Sequence, residues 1–419
     1  MIDKRKTNNN LDWVIILLYG VFVSIGLLVV YASSHDDSRP FFDTRQLYIR
    51  QLIWVCTSII IASFILVTDN KIYTTFAYFI YAAVLIMVIG VFFFGHEVNG
   101  NKIWFEIGRF QLQPSEFAKF SVALVLAKYL GNQNNNLKSN KTKMVSLALI
   151  FFPALLIQLQ GDTGSTLVFL SFFLVLYRFG LPGEFLALGL GVLTLSVFSL
   201  LIDKFTLIAI LFIMAGASLY FIKRTKVAYF VIAGLFICAS LYVTTTNYVF
   251  NHVLRSHQQE RIKVLLGQEV NVKDADYNVR QSKIAIGSGG FLGKGPLHGT
   301  LTKYNFVPEQ HTDFIFCTIG EEYGFLGTTL FVSLFLFLLI RILSLAERQR
   351  SKFSRIYAYG VASILFFHFL INIGMTIGLA PVIGIPLPFI SYGGSSLWSF
   401  TILLFILIKL DADRLAVLR

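Results

Sequence analysis

The chain has 419 residues, of which 56% are hydrophobic and 14% charged, with a mean hydropathy of +0.70 and a formal net charge of +12. Soluble globular domains carry about 25% charged residues, so the composition excludes that class. Apolar runs long enough to cross a bilayer recur along the whole chain, without the ten-residue alternation of a β-barrel. The basic excess sits largely in short loops, the pattern of cytoplasmic connections rather than of a nucleic-acid partner.

Taken in chain order, apolar windows predict spans over 12–32, 50–68, 73–95, 115–130, 144–160, 164–180, 183–202, 205–222, 226–247, 324–342, 355–378 and 396–410. That is about twelve helices by the ~20-residue criterion. MIDKRKTNNN and the run Trp13–Tyr31 read as an uncleaved first helix, because the run is longer than a signal-peptide core. With Lys4, Arg5 and Lys6 inside, alternation places Lys138/Lys141/Lys143, Lys223/Arg224/Lys226 and Arg341/Arg348/Arg350/Lys352/Arg355 inside as well. Gly161–Thr163 and Ile202–Lys204, almost without basic charge, fall outside. Both termini are then cytoplasmic. The expected fold is an all-α polytopic bundle, one integral membrane domain over 1–419 with a large extracytoplasmic loop at 248–312. Cys56, Cys238 and Cys317 lie in apolar stretches without metal-like spacing and read as buried, unpaired cysteines.

Four outer segments collect the unusual polar residues. In the first, Gly95–Glu116, Trp104 and Phe105 suit interfacial anchors, and Pro114 suits a first helical turn. Just beyond it, Glu116 and Lys119 share a helix face. They are either an ion pair fixing helix packing or one wall of a polar cavity, since charges inside a span must pair or face water. Asp162, in QGDTGST, is either a turn or cap residue or a further wall. The long loop carries RQSKIAIGSGGFLGKGPLHGT, whose glycines fit neither a P-loop nor a dinucleotide fingerprint. From Tyr248 to Thr312 eight Lys and Arg face five Asp and Glu, a balance that suits an anionic headgroup or pyrophosphate, or simply a solvated loop.

From Asp313 to Arg341 a single helix would be about 43 Å long, against a hydrocarbon core of about 30 Å. Gly324–Ile342 alone is long enough to span. Asp313–Gly320 is therefore predicted as a separate short element, with Glu321 and Glu322 at the junction. Asp313 then lies beside hydrocarbon but within reach from outside, either as a helix cap or as a general base whose pKa partial desolvation raises. The last segment, GLAPVIGIPLPFISYGGSS, is too rich in proline and glycine for a helix yet apolar enough to pack on protein. Ser395 or Ser396 is placed to cap the final helix.

QPSEFAK, GDTGS, QSKIAIGSGG, GKGPLHGT, PEQHTDFIF, EEYGFLG and IPLPFISYGG occur in that order along the chain. Together they resemble the RodA/FtsW/SpoVE family of shape, elongation, division and sporulation (SEDS) proteins, and TLTKYNFVPEQHTDFIF is most similar to its RodA, or elongation, branch. The resemblance implies a peptidoglycan glycosyltransferase that polymerises lipid II onto a nascent glycan strand at the outer face of a bacterial cytoplasmic membrane. It implies that Asp313 of the HTDF motif deprotonates the GlcNAc 4-hydroxyl, with inversion at the anomeric carbon. Arg255, Lys283 and Lys294 become candidates for steadying the pyrophosphate, alone or with a divalent cation (Mg or Mn). Glu116, Lys119, Asp162, His298, Glu309, His311, Thr312, Ser391 and Tyr392 become candidates for lining the substrate cavity. A class B penicillin-binding protein and the elongation machinery are the implied partners.

Some features depart from the family pattern. Ile103 stands before Trp104 where the family usually has Arg, with Lys102 as a substitute, and Gln160-Gly161-Asp162 replaces Gln-Pro-Asp. The family usually has ten spans; the additional pair is assigned to 205–247, and a pair leaves Asp313 outside. Three competing readings are a lipid II flippase, which should keep its ionisable residues near the midplane, a division-type (FtsW) role, and a non-catalytic scaffold.

Overall fold

A computed structural model describes residues 11–35, 43–98, 101–108, 110–221, 225–252, 275–304 and 306–414, together with 259 and 263. In chain order the helices are α1 Trp13–Ser34, α2 Leu47–Val67, α3 Asn70–Thr75, α4 Ala77–Phe94, α5 Pro114–Gly131, α6 Asn140–Leu159, α7 Thr163–Val168, α8 Phe172–Arg178, α9 Gly183–Leu201, α10 Lys204–Phe221, α11 Lys226–His252, α12 Ala275–Ser288, α13 Thr300–Lys303, α14 Ile315–Arg348, α15 Lys352–Thr376 and α16 Gly394–Ala412. Between α4 and α5 lie three short strands, β1 His96–Val98, β2 Asn101–Ile107 and β3 Phe110–Leu112, paired antiparallel in the order β1-β2-β3.

Among the described residues nine helices are long and apolar enough to cross a membrane, and Thr163–Arg178 and Lys204–Tyr220 are shorter apolar segments. With α5, whose first two turns carry Glu116 and Lys119, these correspond one for one to the expected spans. The protein is a multi-pass helical membrane protein.

The chain divides into two compact units. One comprises Met1–Leu181 and Tyr277–Arg419, the other Pro182–Asp276. In the first unit α5, α15 and α16 are the most enclosed helices. Small contact residues explain their close approach: a side chain on Gly360 of α15 would meet Ala123 of α5 at 3.3 Å. Tyr19 of α1 bridges Ser58 of α2 (3.1 Å) and Thr401 of α16 (3.0 Å), and Phe335 of α14 stacks on Phe369 of α15 with centroids 4.3 Å apart. The second unit contains α9 to α11. Within it Tyr242 of α11 bonds Ser196 of α9 at 2.7 Å, and Asn247 donates to the main-chain oxygen of Ser199 at 3.1 Å.

Two features of the site depend on local backbone chemistry. Helix α14 is broken at Gly324 (φ 61°, ψ −159°), a conformation open essentially to glycine alone. The donors freed there are taken by the glycine-rich loop: Phe325 N–H bonds Gly290 O (2.9 Å) and Leu326 N–H bonds Phe291 O (3.1 Å). The loop's glycines serve this contact, because a side chain on Gly293 or Gly289 would collide with the main chain of Glu322 or Gly320. The short Ile315–Tyr323 helix and the long Phe325–Arg348 span are thus separate elements, as length requires.

Some expectations are corrected. Cys317 is buried, but Cys56 and Cys238 are exposed. Apolar side chains on the outside of a membrane bundle face lipid, so apolarity did not require a protein core around them. The segment after α4 forms strands, which the sequence reading of an all-α chain did not assign. Helix α11 continues to His252, so it extends beyond the expected start of the loop.

Candidate active site

Asp313 lies at the end of the first unit where α1 and α15 finish and α5, α7 and α16 begin. It is half-buried, on a loop, 306–314, that the rest of the bundle holds by three main-chain oxygens and one side chain. Gln310 Nε2 donates to Ser33 O of α1 at 3.2 Å. Tyr392 N–H donates to His311 O at 2.8 Å, and the Tyr392 ring meets the His311 ring edge-on. Ser391 Oγ donates to Thr312 O at 2.6 Å. Asn372 Nδ2 of α15 donates to Asp313 O at 2.8 Å. The neighbouring Phe314 is buried in a small apolar cluster with Val279, Ala285, Val307, Cys317 and Val382, which joins α12 and the loops to the base of α14.

The carboxylate of Asp313 faces Gly384, where a Cβ would sit 3.3 Å from Oδ2. Gly384 has φ +71°, so it supplies both the open space and a backbone angle that side chains resist. Glu309 adopts φ +55° four residues before Asp313, a region few non-glycine residues enter. Its carboxylate accepts from Thr312 Oγ1 at 2.9 Å. Burial holds the His311 imidazole below its ordinary pKa of 6.5, with the Glu309 carboxylate working in the opposite direction.

Behind this loop lies a buried ionic group. Lys119 Nζ is 2.7 Å from Glu116 Oε1, with the two side chains 1% and 3% exposed. The same ammonium is 3.0 Å from His368 Nε2. An ammonium donates and cannot accept, so His368 presents a bare Nε2 to it and carries its proton on Nδ1, which faces Pro386 O at 3.1 Å. One turn on, Asn372 holds Ile385 O at 2.7 Å along with Asp313 O. His368 and Asn372, one turn apart on α15, therefore hold the proline-rich segment at two points, and Asn372 also holds the Asp313 loop. Charges in a low-dielectric interior persist only when paired and hydrogen-bonded. Sequence reasoning missed His368 and Asn372. Their signal was present as two polar residues four apart in an otherwise apolar span.

Asp162 caps α7 through Ser165 N–H at 2.9 Å and accepts from Gln113 Nε2 and Ser115 Oγ, both at 2.8 Å. Gly164, next to it, backs onto the main chain of Ile383 and Gly384 so closely that a side chain would not fit. Ser395 binds the other side of the same junction, accepting from Gln113 N–H at 3.1 Å and donating to Gln111 O at 3.1 Å.

The basic candidates separate. Lys294 is committed to Glu321 at 2.6 Å and to Thr300 at 2.8 Å. Glu321, fully buried, also accepts from Leu301 N–H (2.9 Å), Thr302 N–H (2.9 Å) and Thr302 Oγ1 (2.8 Å). It staples the loop down. Lys283 is exposed, beside Gly378, and has no ion pair among the described residues. His298 is exposed and bonds its own loop at Pro296 O. Arg255 lies outside the described residues. Among the described residues no group of three or more His, Cys, Asp or Glu is arranged to hold a metal ion.

A family profile described as cell cycle protein, FtsW/RodA/SpoVE, matches residues 12–207 and 183–415. The chain belongs to the FtsW/RodA/SpoVE family. Members similar to it include the peptidoglycan glycosyltransferase RodA of Treponema pallidum, 30% identical over 97% of this chain and 99% of that protein. Another is the peptidoglycan glycosyltransferase MrdB of Escherichia coli, 32% identical over 93% of this chain and 90% of that one. Among solved structures, a chain from a peptidoglycan synthase complex that coordinates polymerization and crosslinking matches with TM-score 0.72 and 25% identity, over 96% of this chain and 98% of that chain. The rod shape determining protein RodA of Thermus thermophilus shares the fold, with TM-score 0.63 at 23% identity, over 96% of this chain and 97% of that chain.

Proposed function

We propose that the chain is a peptidoglycan glycosyltransferase of the elongation type, polymerising lipid II into glycan strands at the outer face of the cytoplasmic membrane. The observation that carries the reading is the placement of Asp313. It is a half-buried carboxylate on a loop held through the main-chain oxygens of residues 311, 312 and 313 and through the side chain of Gln310. Preorganised placement is what a general base requires, since geometry precedes proton affinity. In the reaction, Asp313 accepts the proton of the GlcNAc 4-hydroxyl of lipid II. The freed oxygen attacks the anomeric carbon at the reducing end of the growing strand. The bond from that carbon to undecaprenyl pyrophosphate breaks on the opposite face, so the centre inverts.

Lys283, exposed on α12, is the described basic candidate open to the leaving pyrophosphate; Lys294 acts through Glu321 on the shape of the loop. We place the inserted helix pair in the second unit and the transpeptidase partner, a class B penicillin-binding protein, on the lipid-facing surface.

The test uses purified protein with its transpeptidase partner, labelled lipid II and Asp313→Asn. General-base loss costs about 100-fold to 10,000-fold, so polymer should fall by at least the lower figure while thermal unfolding is unchanged. Polymerisation by the Asn variant at the wild-type rate overturns the assignment. Lipid II crossing vesicle bilayers without polymer from the wild type would establish the flippase reading instead.

A further inference from the structure

At the opposite end of the first unit, a helix length away from Asp313, a cavity of about 240 Å³ is lined by Leu11, Asp12, Trp13, Val14, Arg341, Arg348 and Arg414. It forms where α1 starts and α14 and α16 finish. Nothing in the proposed reaction uses it.

Its charges are layered. Asp12 and Asp411 are 1% and 0% exposed, whereas Arg341, Arg348 and Arg414 are 35%, 33% and 23% exposed. Asp12 lies in the floor, Asp411 is buried behind the arginines, and the guanidinium groups line the mouth. Asp12 caps α1 through Ile15 N–H at 3.2 Å and pairs with Arg341 Nη2 at 2.8 Å and Arg348 Nη2 at 3.1 Å. Asp411 pairs with Arg348, accepts from Gln349 Nε2 at 2.8 Å and pairs with Arg414 Nη1 at 3.0 Å. Three guanidinium groups over two carboxylates leave one positive charge. Each arginine also keeps donors unspent: Nη1 of Arg341, Nη1 of Arg348, and Nε and Nη2 of Arg414 have no protein acceptor among the described residues. The cavity opens beside Trp13, which is 64% exposed, at the depth where a span begins and aromatic side chains meet headgroups.

We propose that this cavity binds a phosphate of net negative charge, carried by an anionic phospholipid headgroup or free in solution, and disfavours a phosphate masked by a headgroup cation. Guanidinium forks match phosphate oxygens in pairs. A single net positive charge matches one phosphodiester, and the small volume admits the headgroup while leaving acyl chains outside along α1. The proposal does not rest on the reading of Asp313.

The experiment measures binding to the full-length protein by native mass spectrometry in detergent, with phosphatidylglycerol, phosphatidylcholine and inorganic phosphate. Two variants are used. Arg341→Gln/Arg414→Gln removes donors but leaves Arg348 on both buried acids. Val14→Glu leaves Asp12, Asp411 and all three arginines in the chain and adds a negative charge to the wall, so with thermal unfolding measured alongside it separates lost binding from lost folding. The wild type should prefer phosphatidylglycerol over phosphatidylcholine by about tenfold or more, and both variants should lose that preference. Displacement of the lipid by inorganic phosphate identifies a site open to the free anion; retention of the lipid identifies the headgroup as the ligand. Equal affinity for the two lipids in the wild type, with no phosphate bound, overturns the proposal. So does an undiminished preference in Val14→Glu.

Discussion

Asn372 holds Asp313 by its main-chain oxygen, at 2.8 Å, and holds Ile385 by the same amide nitrogen at 2.7 Å. One side chain thereby sets the separation between the loop bearing the acid and the proline-rich loop that faces it. Asn372→Ala should lower kcat by up to about 100-fold with little change in KM, because a small misplacement of a catalytic group costs that much. One buried and one half-buried carbonyl lose their donor, so stability should fall by about 1–3 kcal/mol. Steady-state polymerisation and thermal unfolding check both parts; an unchanged kcat would remove Asn372 from the positioning role.

Removing one partner from the buried pair of Glu116 and Lys119 leaves an uncompensated charge. Lys119→Met should therefore destabilise by about 3–5 kcal/mol. Adding Glu116→Gln should recover much of the loss, since a neutral amide is far cheaper to bury than a lone carboxylate. Thermal unfolding of the two variants in the same detergent decides it. A double variant no more stable than the single would show that packing, not charge, dominates.

Gly384→Ala introduces a methyl group 3.3 Å from Asp313 Oδ2 at a φ of +71°. Activity should fall well beyond any loss of stability. In the background of Asp313→Asn the same substitution should have little further effect on residual activity, because both changes act on one group. Additive losses would place the effect elsewhere.

His311 titrates below 6.5 in the folded protein because burial disfavours its charged form. The unfolded chain binds the proton more readily, so this histidine contributes stability that is present above pH 6.5 and lost as pH falls through the lowered folded value. Thermal stability should decline on acidification through that window, and His311→Gln should flatten the slope there. An identical pH slope in the variant would assign the acid sensitivity to other groups.

The spans were legible because hydrocarbon thickness constrains length and apolarity so strongly. The break before Gly324 was legible from length alone. The β1–β3 strands were not, since runs of three to seven residues in a mixed polar segment carry no clear period. Glu321 and Lys294 were legible as charges near an interface but not as each other's partner, because pairing depends on how the glycine-rich loop folds back onto α14. Glu116 with Lys119 was legible from spacing. His368 and Asn372 were legible only as polar residues spaced four apart in an apolar span; that they reach Lys119 of α5 and the main chain of Asp313 depends on how the helices pack.

The turn at Gly324 has a consequence for life in different bilayers. Phe325–Arg348 is about 36 Å long at 1.5 Å per residue, but its apolar part ends at Ile340, before Arg341, at about 24 Å. A bilayer thicker than that is met by thinning around the span or by snorkelling of Arg341. Because the chain changes direction at Gly324, such an adjustment falls on the long span and not on the axis of Ile315–Tyr323, next to the loop that carries Asp313.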